Sequence, residues 1–175
     1  TSAPFFNKVA DRSADALGLF YETVSFKSID GITLRGWYFP ASTPGAPAIL
    51  YAPATAKDQR SGLSLVKPLH AAGFSVLLFS YRGHGRSEGN PIGFSYGAHE
   101  SLDVDAAVKY LRNVRQVPAV GAIGHSAGAV AVMLSAARIP QLDVVVAAAP
   151  FTSVEDIWIT NKPSLMPTPL YDFMM

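Results

Sequence analysis

Two segments near the start of the chain alternate apolar and polar residues. Residues 21–28 and residues 32–39 both follow this two-residue period, and Ile29-Asp30-Gly31 separates them. Alternation is typical of strands with one buried face, and Asp-Gly favours the tight turn of a β-hairpin. The pattern therefore predicts an antiparallel hairpin.

The rest of the chain alternates short apolar runs with stretches of helical spacing. The apolar runs have the length and composition of strands buried on both faces, and they comprise residues 48–52, 74–80, 119–123 and 142–149. The helical stretches lie between them, at residues 63–72, 96–113 and 127–137. This order predicts an α/β fold, in which a hairpin precedes a mostly parallel sheet with helices on both faces. We expect residues 1–160 to form the core and residues 161–175 to begin a lid or connecting segment.

Composition and charge exclude several classes of protein. The 175 residues are 49% hydrophobic and 15% charged, with a formal net charge of +1. This balance is typical of a folded domain and supplies no basic surface for nucleic acid or for anionic membranes. The chain has no cysteine, which excludes disulfides, thiolate metal sites and a cysteine nucleophile. No apolar run approaches the roughly 20 residues of a membrane-spanning helix.

The third apolar run leads directly into Gly124-His125-Ser126-Ala127-Gly128 and then into a predicted helix. A serine in a sharp turn at the carboxyl end of a strand presents its hydroxyl outside the sheet, and glycines on either side prevent collisions there. The N–H of Ala127, at the start of the helix, is then available to stabilise an oxyanion. The alternative is a Gly-Ser turn that only caps a helix.

The chain resembles the α/β-hydrolase superfamily, most closely its branch of Bem46-like and dipeptidyl-peptidase-like serine hydrolases. The motifs that carry the resemblance occur in the family's order, at residues 24–26, 30–37, 77–87, 124–128 and 149–153. The resemblance implies that Ser126 forms an acyl-enzyme with an ester, thioester or amide, helped by an oxyanion hole and by an Asp and a His further along the chain. A small ester-type substrate and no cofactor are expected.

Two departures from the family pattern bear on activity. Where the family usually has His-Gly-x-Gly, this chain has Ala52-Pro53-Ala54-Thr55, so the N–H of Ala54 is the predicted second oxyanion donor beside that of Ala127. No histidine follows His125 in the sequence, although the family places its acid and its histidine after the nucleophile. We therefore expect an incomplete hydrolase. The alternative is a non-catalytic binding module in which the serine is vestigial.

The other histidines offer few candidates for the site. His84 lies in the loop after residues 74–80 and His125 is next to Ser126, so both are candidate substrate-site residues. For His84, a hydrogen bond that orders its loop is the favoured alternative. His70 and His99 are explained by packing or solvent contact, and no spacing of ligands predicts a metal site.

Charged residues near the predicted site have ordinary explanations. Asp103 and Asp105 are expected to form a solvated or capping face of one helix. Arg82 and Arg86 are placed to meet an anionic substrate, but pairing with local carbonyl groups is favoured.

The last predicted strand has the character of an exposed sheet edge. Residues 144–149 contain no charge and no proline, and residues 163–175 are rich in proline and large apolar residues. Unpaired edges of this kind attract another strand. We expect the chain to be one piece of a larger hydrolase, to pair with a companion chain, or to dimerise through this edge.

Overall fold

The structure is a computed structural model, and it describes residues 14–153 and residue 155. Within these residues the chain forms, in order, β1 (Glu22–Lys27), β2 (Thr33–Phe39), β3 (Ala48–Ala52), α1 (Leu63–Ala71), β4 (Ser75–Ser80), α2 (Ala98–Lys109), β5 (Val120–His125), α3 (Ala127–Arg138) and β6 (Val144–Ala148). Short 3-10 helices lie at Ala14–Leu17, Gln59–Gly62 and Pro91–Gly93, and a π-helical turn, Tyr110–Val114, continues α2. Every strand and helix predicted from the sequence is present.

The six described strands form one sheet in the order β1-β2-β4-β3-β5-β6. β1 pairs with β2 and β2 with β4 in antiparallel fashion, and the remaining pairs are parallel. The predicted α/β class with a leading hairpin is therefore confirmed. Because β3 lies between β4 and β5, the chain leaves β3 on one side and later returns to its other side. A reversal of this kind opens a crevice at the carboxyl ends of the two strands, which is where α/β proteins bind ligands.

Helices cover both faces of the sheet. One core brings α2 and α3 against the sheet, with Leu34, Leu50, Phe79, Val104, Leu111 and Val132 among its buried residues. A second core places α1 and the 3-10 helix Ala14–Leu17 on the opposite face, around Phe39, Leu63, Val66 and Leu78. All six residues of β4 are buried, because helices pack on both of its sides. This explains why β4 is a continuous apolar run and not an alternating one.

β6 lies at one edge of the described sheet. It pairs with β5, and within residues 14–153 no strand pairs with its other side. Val144 and Val146 are 59% and 51% exposed. The predicted pairing of residues 144–149 with another strand stays a prediction, and the predicted lid at residues 161–175 lies outside the described residues. None of the described helices is both long and apolar enough to cross a membrane.

The prediction that Asp103 and Asp105 form a solvated or capping face is wrong. Both are buried, at 0% and 8% exposure, because α2 packs on the sheet and beside α3. Asp105 accepts hydrogen bonds from Ser135 Oγ at 2.6 Å and from Arg138 Nε at 2.8 Å. Asp103 is paired with Arg82, as described below. The two charges are therefore compensated inside the protein and are not exposed to solvent.

Candidate active site

Ser126 occupies a strained turn between the last residue of β5 and the first residue of α3. Its backbone has φ 55° and ψ −118°, a region that residues with a Cβ rarely adopt. The Ser126 N–H donates to the Ala148 carbonyl at 2.9 Å, and the Ser126 carbonyl accepts from Ala129 N at 2.9 Å and Val130 N at 3.3 Å. Bonds to β6 and to α3 thus maintain the strained geometry.

The glycines on either side of Ser126 are required by close backbone contacts. A Cβ added to Gly124 would lie 2.3 Å from the Gly128 oxygen. A Cβ added to Gly128 would lie 2.1 Å from the Ala52 oxygen and 2.6 Å from the Pro53 oxygen. Backbone atoms cannot move away as a flexible side chain can. The start of α3 therefore rests directly on the end of β3 and its following loop.

This contact brings together the two elements that carry the candidate oxyanion donors, Ala54 and Ala127. The Ala54 carbonyl accepts from Lys57 N at 3.1 Å, whereas the Ala54 N–H donates no hydrogen bond within residues 14–153. In α3, the first amides that bond back to the chain are those of Ala129 and Val130, so the Ala127 N–H precedes the helical hydrogen bonds. The role of either N–H stays a prediction.

Backbone strain is concentrated at the carboxyl edge of the sheet. Non-glycine residues with positive φ in the described part are Ala56, Tyr96, Gln116, Ser126 and Ala149. Three of them follow parallel strands directly or within a few residues: Ala56 after β3, Ser126 after β5 and Ala149 after β6. Strained backbone clusters at functional sites. The sequence offered no signal for Ala56, Tyr96 or Ala149, since alanine and tyrosine have no preference for this conformation.

The two candidate substrate-site histidines have different surroundings. His84 is 3% exposed, its Nδ1 lies 3.0 Å from the Arg82 carbonyl, and its ring meets Phe94 edge-on at 5.4 Å. This environment favours the loop-ordering explanation. His125 ends β5 and is exposed. Contact of either residue with a substrate stays a prediction, and within the described residues no histidine hydrogen-bonds to the Ser126 hydroxyl.

Arg82 joins three elements beside this edge. Its Nη2 donates to Asp103 at 2.7 Å, its backbone N–H donates to the same carboxylate at 2.9 Å, and its Nη1 donates to Asp30 at 2.6 Å. The hairpin turn, the loop after β4 and α2 are thereby connected. The prediction that Arg82 pairs with local carbonyl groups is wrong, because its guanidinium group pairs with the carboxylates of Asp103 and Asp30.

The ion pairs of Arg82 shift the pKa values of the groups involved. Burial raises the pKa of the Asp103 carboxyl above its ordinary value, and the hydrogen bonds from Arg82 offset only part of this effect. Burial also opposes the charge of Arg82, but hydrogen bonds and attraction from Asp103 and Asp30 outweigh it and raise the pKa of Arg82. Desolvation also raises the pKa of the more exposed Asp30, but the hydrogen bond and charge of Arg82, together with backbone hydrogen bonds, outweigh it and lower this pKa. Arg82 therefore remains a cation, and its hydrogen bonds hold Asp103 and Asp30 in place.

The described residues contain no group of three His, Asp or Glu side chains placed to hold a metal ion. What they do contain is a mostly parallel sheet with a reversal of strand order at β3, helices on both faces, and a strained serine between β5 and α3. Together these features define the α/β-hydrolase class.

Comparison with known proteins assigns the family. Residues 48–171 match the family described as serine aminopeptidase, S33. The chain is 39% identical over 140 residues to the uncharacterized protein Rv2307c of Mycobacterium tuberculosis, which covers 78% of this chain and 48% of that protein. It is 28% identical over 149 residues to the protein bem46 of Schizosaccharomyces pombe, covering 82% and 48% of the two chains. The chain belongs to the serine aminopeptidase S33 family of α/β-hydrolases, in its Bem46-like branch.

Two further similarities concern named enzymes. The chain is 32% identical over 136 residues to the thiohydrolase apmlB of Arthrinium phaeospermum, covering 74% of this chain and 43% of that protein. Its fold matches the esterase Pf2001 of Pyrococcus furiosus with a TM-score of 0.80 and 23% identity, covering 94% and 65% of the two chains. The chain spans about half the length of the curated relatives it matches.

Proposed function

We propose that the protein is a serine hydrolase that cleaves carboxylic ester or thioester bonds with Ser126 as the nucleophile. The proposal rests on the strained backbone of Ser126 between β5 and α3. On either side of it, Gly124 and Gly128 pack so closely on other backbone atoms that no side chain fits. Attack of the hydroxyl oxygen on the carbonyl carbon forms a tetrahedral intermediate, and the alcohol or thiol leaves with a proton. Water then hydrolyses the acyl-serine, which releases the acid and restores the hydroxyl.

The oxyanion of this intermediate is assigned to the N–H groups of Ala54 and Ala127. Support comes from the packing of Gly128 on the carbonyls of Ala52 and Pro53, which joins the loop after β3 to the start of α3. The positive end of the α3 dipole favours negative charge at this point. With a phosphonate bound to Ser126, both nitrogens should lie within hydrogen-bond distance of the phosphonyl oxygen. An Ala54 N–H directed away from it would contradict this assignment.

The choice of ester and thioester substrates rests on the relatives. One relative is described as a thiohydrolase and one structural match as an esterase. Both reactions proceed through the same acyl-serine and differ only in the leaving group. An amide or peptide is the weaker candidate, because its amine leaving group needs protonation by an acid that no described residue is positioned to supply.

The proposal requires a general base, because an unassisted serine hydroxyl is a weak nucleophile. The four histidines of the chain are His70, His84, His99 and His125. His70 Nε2 lies 3.0 Å from the Pro40 carbonyl, and His84 is bound within its own loop. Neither His99 nor His125 hydrogen-bonds to the Ser126 hydroxyl in the described part of the chain. We therefore assign no base within residues 14–153, and the test uses the intact gene product.

A fluorophosphonate probe tests the nucleophile directly. We expect stoichiometric labelling of Ser126, identified by peptide mass spectrometry and abolished by Ser126→Ala. Ser64→Ala is the matched control, because Ser64 is an exposed serine on α1, and this variant should label fully. Folded intact protein that binds an ester-type ligand and never labels would overturn the proposal. It would establish the non-catalytic binding module, which the substitution of Ala52-Pro53-Ala54 for the family's glycine-containing loop favours.

A further inference from the structure

Gly97, at the end of the segment formed by residues 94–97, packs against the start of α3. A Cβ added to Gly97 would lie 2.8 Å from Val130 Cγ1 and 3.2 Å from Ala131 N, so the backbone at Gly97 rests directly on the helix. Val130 also donates its N–H to the Ser126 carbonyl, and residues four positions apart lie on one face of a helix. Gly97, and with it the neighbouring Tyr96, therefore lies close to the helical turn that directly follows Ser126.

A buried carboxylate fixes the position of this segment. Glu100, which is 0% exposed, accepts hydrogen bonds from Gly97 N at 2.8 Å, Ser95 Oγ at 2.8 Å and Ser95 N at 3.2 Å. Tyr96 lies between these two anchored residues. Its backbone is thus determined by its neighbours, and this is the condition under which strained conformations persist.

Tyr96 itself is strained, with φ 54°. Bulky residues avoid this region, whereas glycine or asparagine adopts it readily, so the turn alone does not explain a tyrosine here. The Tyr96 ring meets Phe94 at 5.5 Å with an interplanar angle of 75°, and Phe94 in turn packs against His84 and Tyr81. The side chain is partly exposed. One side of the ring is therefore packed, and part of its surface remains accessible.

We infer that Tyr96 is a specificity-determining residue whose ring forms one wall of the acyl site beside Ser126 and favours esters with a large apolar acyl group. This inference rests on the proposed function. It accounts for a strained aromatic residue beside the first turn of α3, held by a buried carboxylate and an aromatic cluster. A wall prepared in this way loses little conformational entropy when a substrate packs against it.

The test compares p-nitrophenyl octanoate with p-nitrophenyl acetate in the intact gene product. Tyr96→Gly relieves the positive φ, and this gain offsets the lost packing on Phe94 and the greater freedom of the unfolded chain, so we expect only a small change in thermal stability. We expect kcat/KM for the octanoate to fall about tenfold or more relative to the acetate, mainly through KM, because a large apolar contact is lost. Tyr96→Phe should retain the selectivity of the unaltered protein, since the inference uses the ring and not the hydroxyl.

Gln116→Gly is the matched control. Gln116 has φ 53°, is exposed, and precedes β5 at the opposite end of the strand from Ser126, so this variant also relieves strain but should leave selectivity unchanged. An octanoate-to-acetate ratio that Tyr96→Gly leaves unaltered, in protein whose Ser126 still labels, would overturn the inference alone. Failure of the unaltered protein to label or to hydrolyse either ester would instead overturn the proposed function.

Discussion

Replacement of Arg82 by methionine removes the cation that compensates a buried carboxylate. The Asp103 side chain has 0% exposure and that of Arg82 has 11%, so the pair lies almost entirely out of water. Methionine retains much of the side-chain volume and leaves the backbone N–H that also donates to Asp103. The perturbation is therefore confined largely to the guanidinium group and its hydrogen bonds to Asp103, Asp30 and Ser28.

The expected loss follows from the burial of the partner left behind. Removal of one member of a buried ion pair typically costs about 3–5 kcal/mol of unfolding free energy, since the remaining charge is uncompensated. The contact with Asp30 adds little, because the Asp30 side chain is 40% exposed and screened by solvent. For a protein of this size, such a loss corresponds to a decrease in Tm of about 6–20 °C.

Urea denaturation, followed by circular dichroism, measures this loss. Arg86→Met is the matched control, because Arg86 is an exposed arginine of the same loop, and its replacement should change the unfolding free energy by less than about 0.5 kcal/mol. The double variant Arg82→Met/Asp103→Asn removes the uncompensated charge and keeps an acceptor for the backbone N–H at position 82. It should be more stable than Arg82→Met alone.

The loss should also depend on pH in a defined direction. Burial already raises the pKa of Asp103, and without Arg82 this pKa rises further. A group whose pKa is raised on folding contributes stability at acid pH that is lost as the pH increases through the folded pKa. The lowered pKa of Asp30 contributes stability only above its ordinary value, and this contribution disappears with Arg82. Because pH 5 and pH 8 both lie above the ordinary pKa of Asp30, the contribution of Asp30 is lost equally at both. Asp103 alone therefore makes the deficit of Arg82→Met smaller at pH 5 than at pH 8.

Two results would refute this reasoning. One is an unfolding free energy for Arg82→Met that matches that of Arg86→Met at neutral pH, which would mean that water compensates Asp103. The other is a deficit that grows toward acid pH, because protonation of Asp103 would then fail to relieve the buried charge.

Three further predictions concern the turn at Ser126, the general base and the β6 edge of the sheet. Gly128→Ala should cost about 3 kcal/mol or more in urea denaturation, because the new Cβ meets backbone oxygens. Gly121→Ala should cost less than half as much, since its nearest neighbour is the movable Ile49 Cδ1 at 2.6 Å, and equal costs would contradict the packing argument. The 175-residue chain alone should hydrolyse p-nitrophenyl acetate no faster than its Ser126→Ala variant, because no described histidine is bonded to Ser126; a serine-dependent rate would show that a base is present. We also propose that the β6 edge recruits a second strand, so light scattering of the 18.6 kDa chain should show association that Val146→Lys weakens, and a stable monomer of the unaltered chain would contradict it.

The strands and helices were largely predictable because their signals are local. The run at residues 48–52 has the same bounds as β3, and the helix predicted at 63–72 corresponds to α1, Leu63–Ala71. Hydrophobic periodicity shows which face of a strand or helix is buried, and capping residues show where a helix ends. Neither signal requires knowledge of the element that packs against it. The motif at residues 124–128 likewise predicted a turn between β5 and α3. Gly124 is needed for a contact near in sequence, with Gly128, whereas Gly128 is needed because it packs on the distant backbone of Ala52 and Pro53.

The boundaries of α2 depended on contacts that the sequence does not display. The periodic stretch at residues 96–113 predicted one helix, whereas α2 begins at Ala98 and passes into a π-helical turn at Tyr110–Val114. Its start is displaced because Gly97 packs on Val130 and Glu100 holds the preceding loop. Val130 becomes available only once α3 is docked against α2, whereas the contact with Glu100 is local to the start of α2.

By itself, the sequence determined the α/β class, the order of strands and helices and the position of Ser126 at a strand-to-helix turn. Only the tertiary structure decided that Asp103 is buried against Arg82, that His84 is enclosed in its loop, and that Gly97, next to Tyr96, packs on the start of α3. The physical reason is that hydrophobic periodicity shows whether a position is buried. The role of a charged or aromatic side chain, by contrast, depends on which residue it contacts in the folded protein. Arg82 and Asp103 are 21 residues apart in sequence. They meet only when α2, the helix that connects β4 to β5, packs on the sheet.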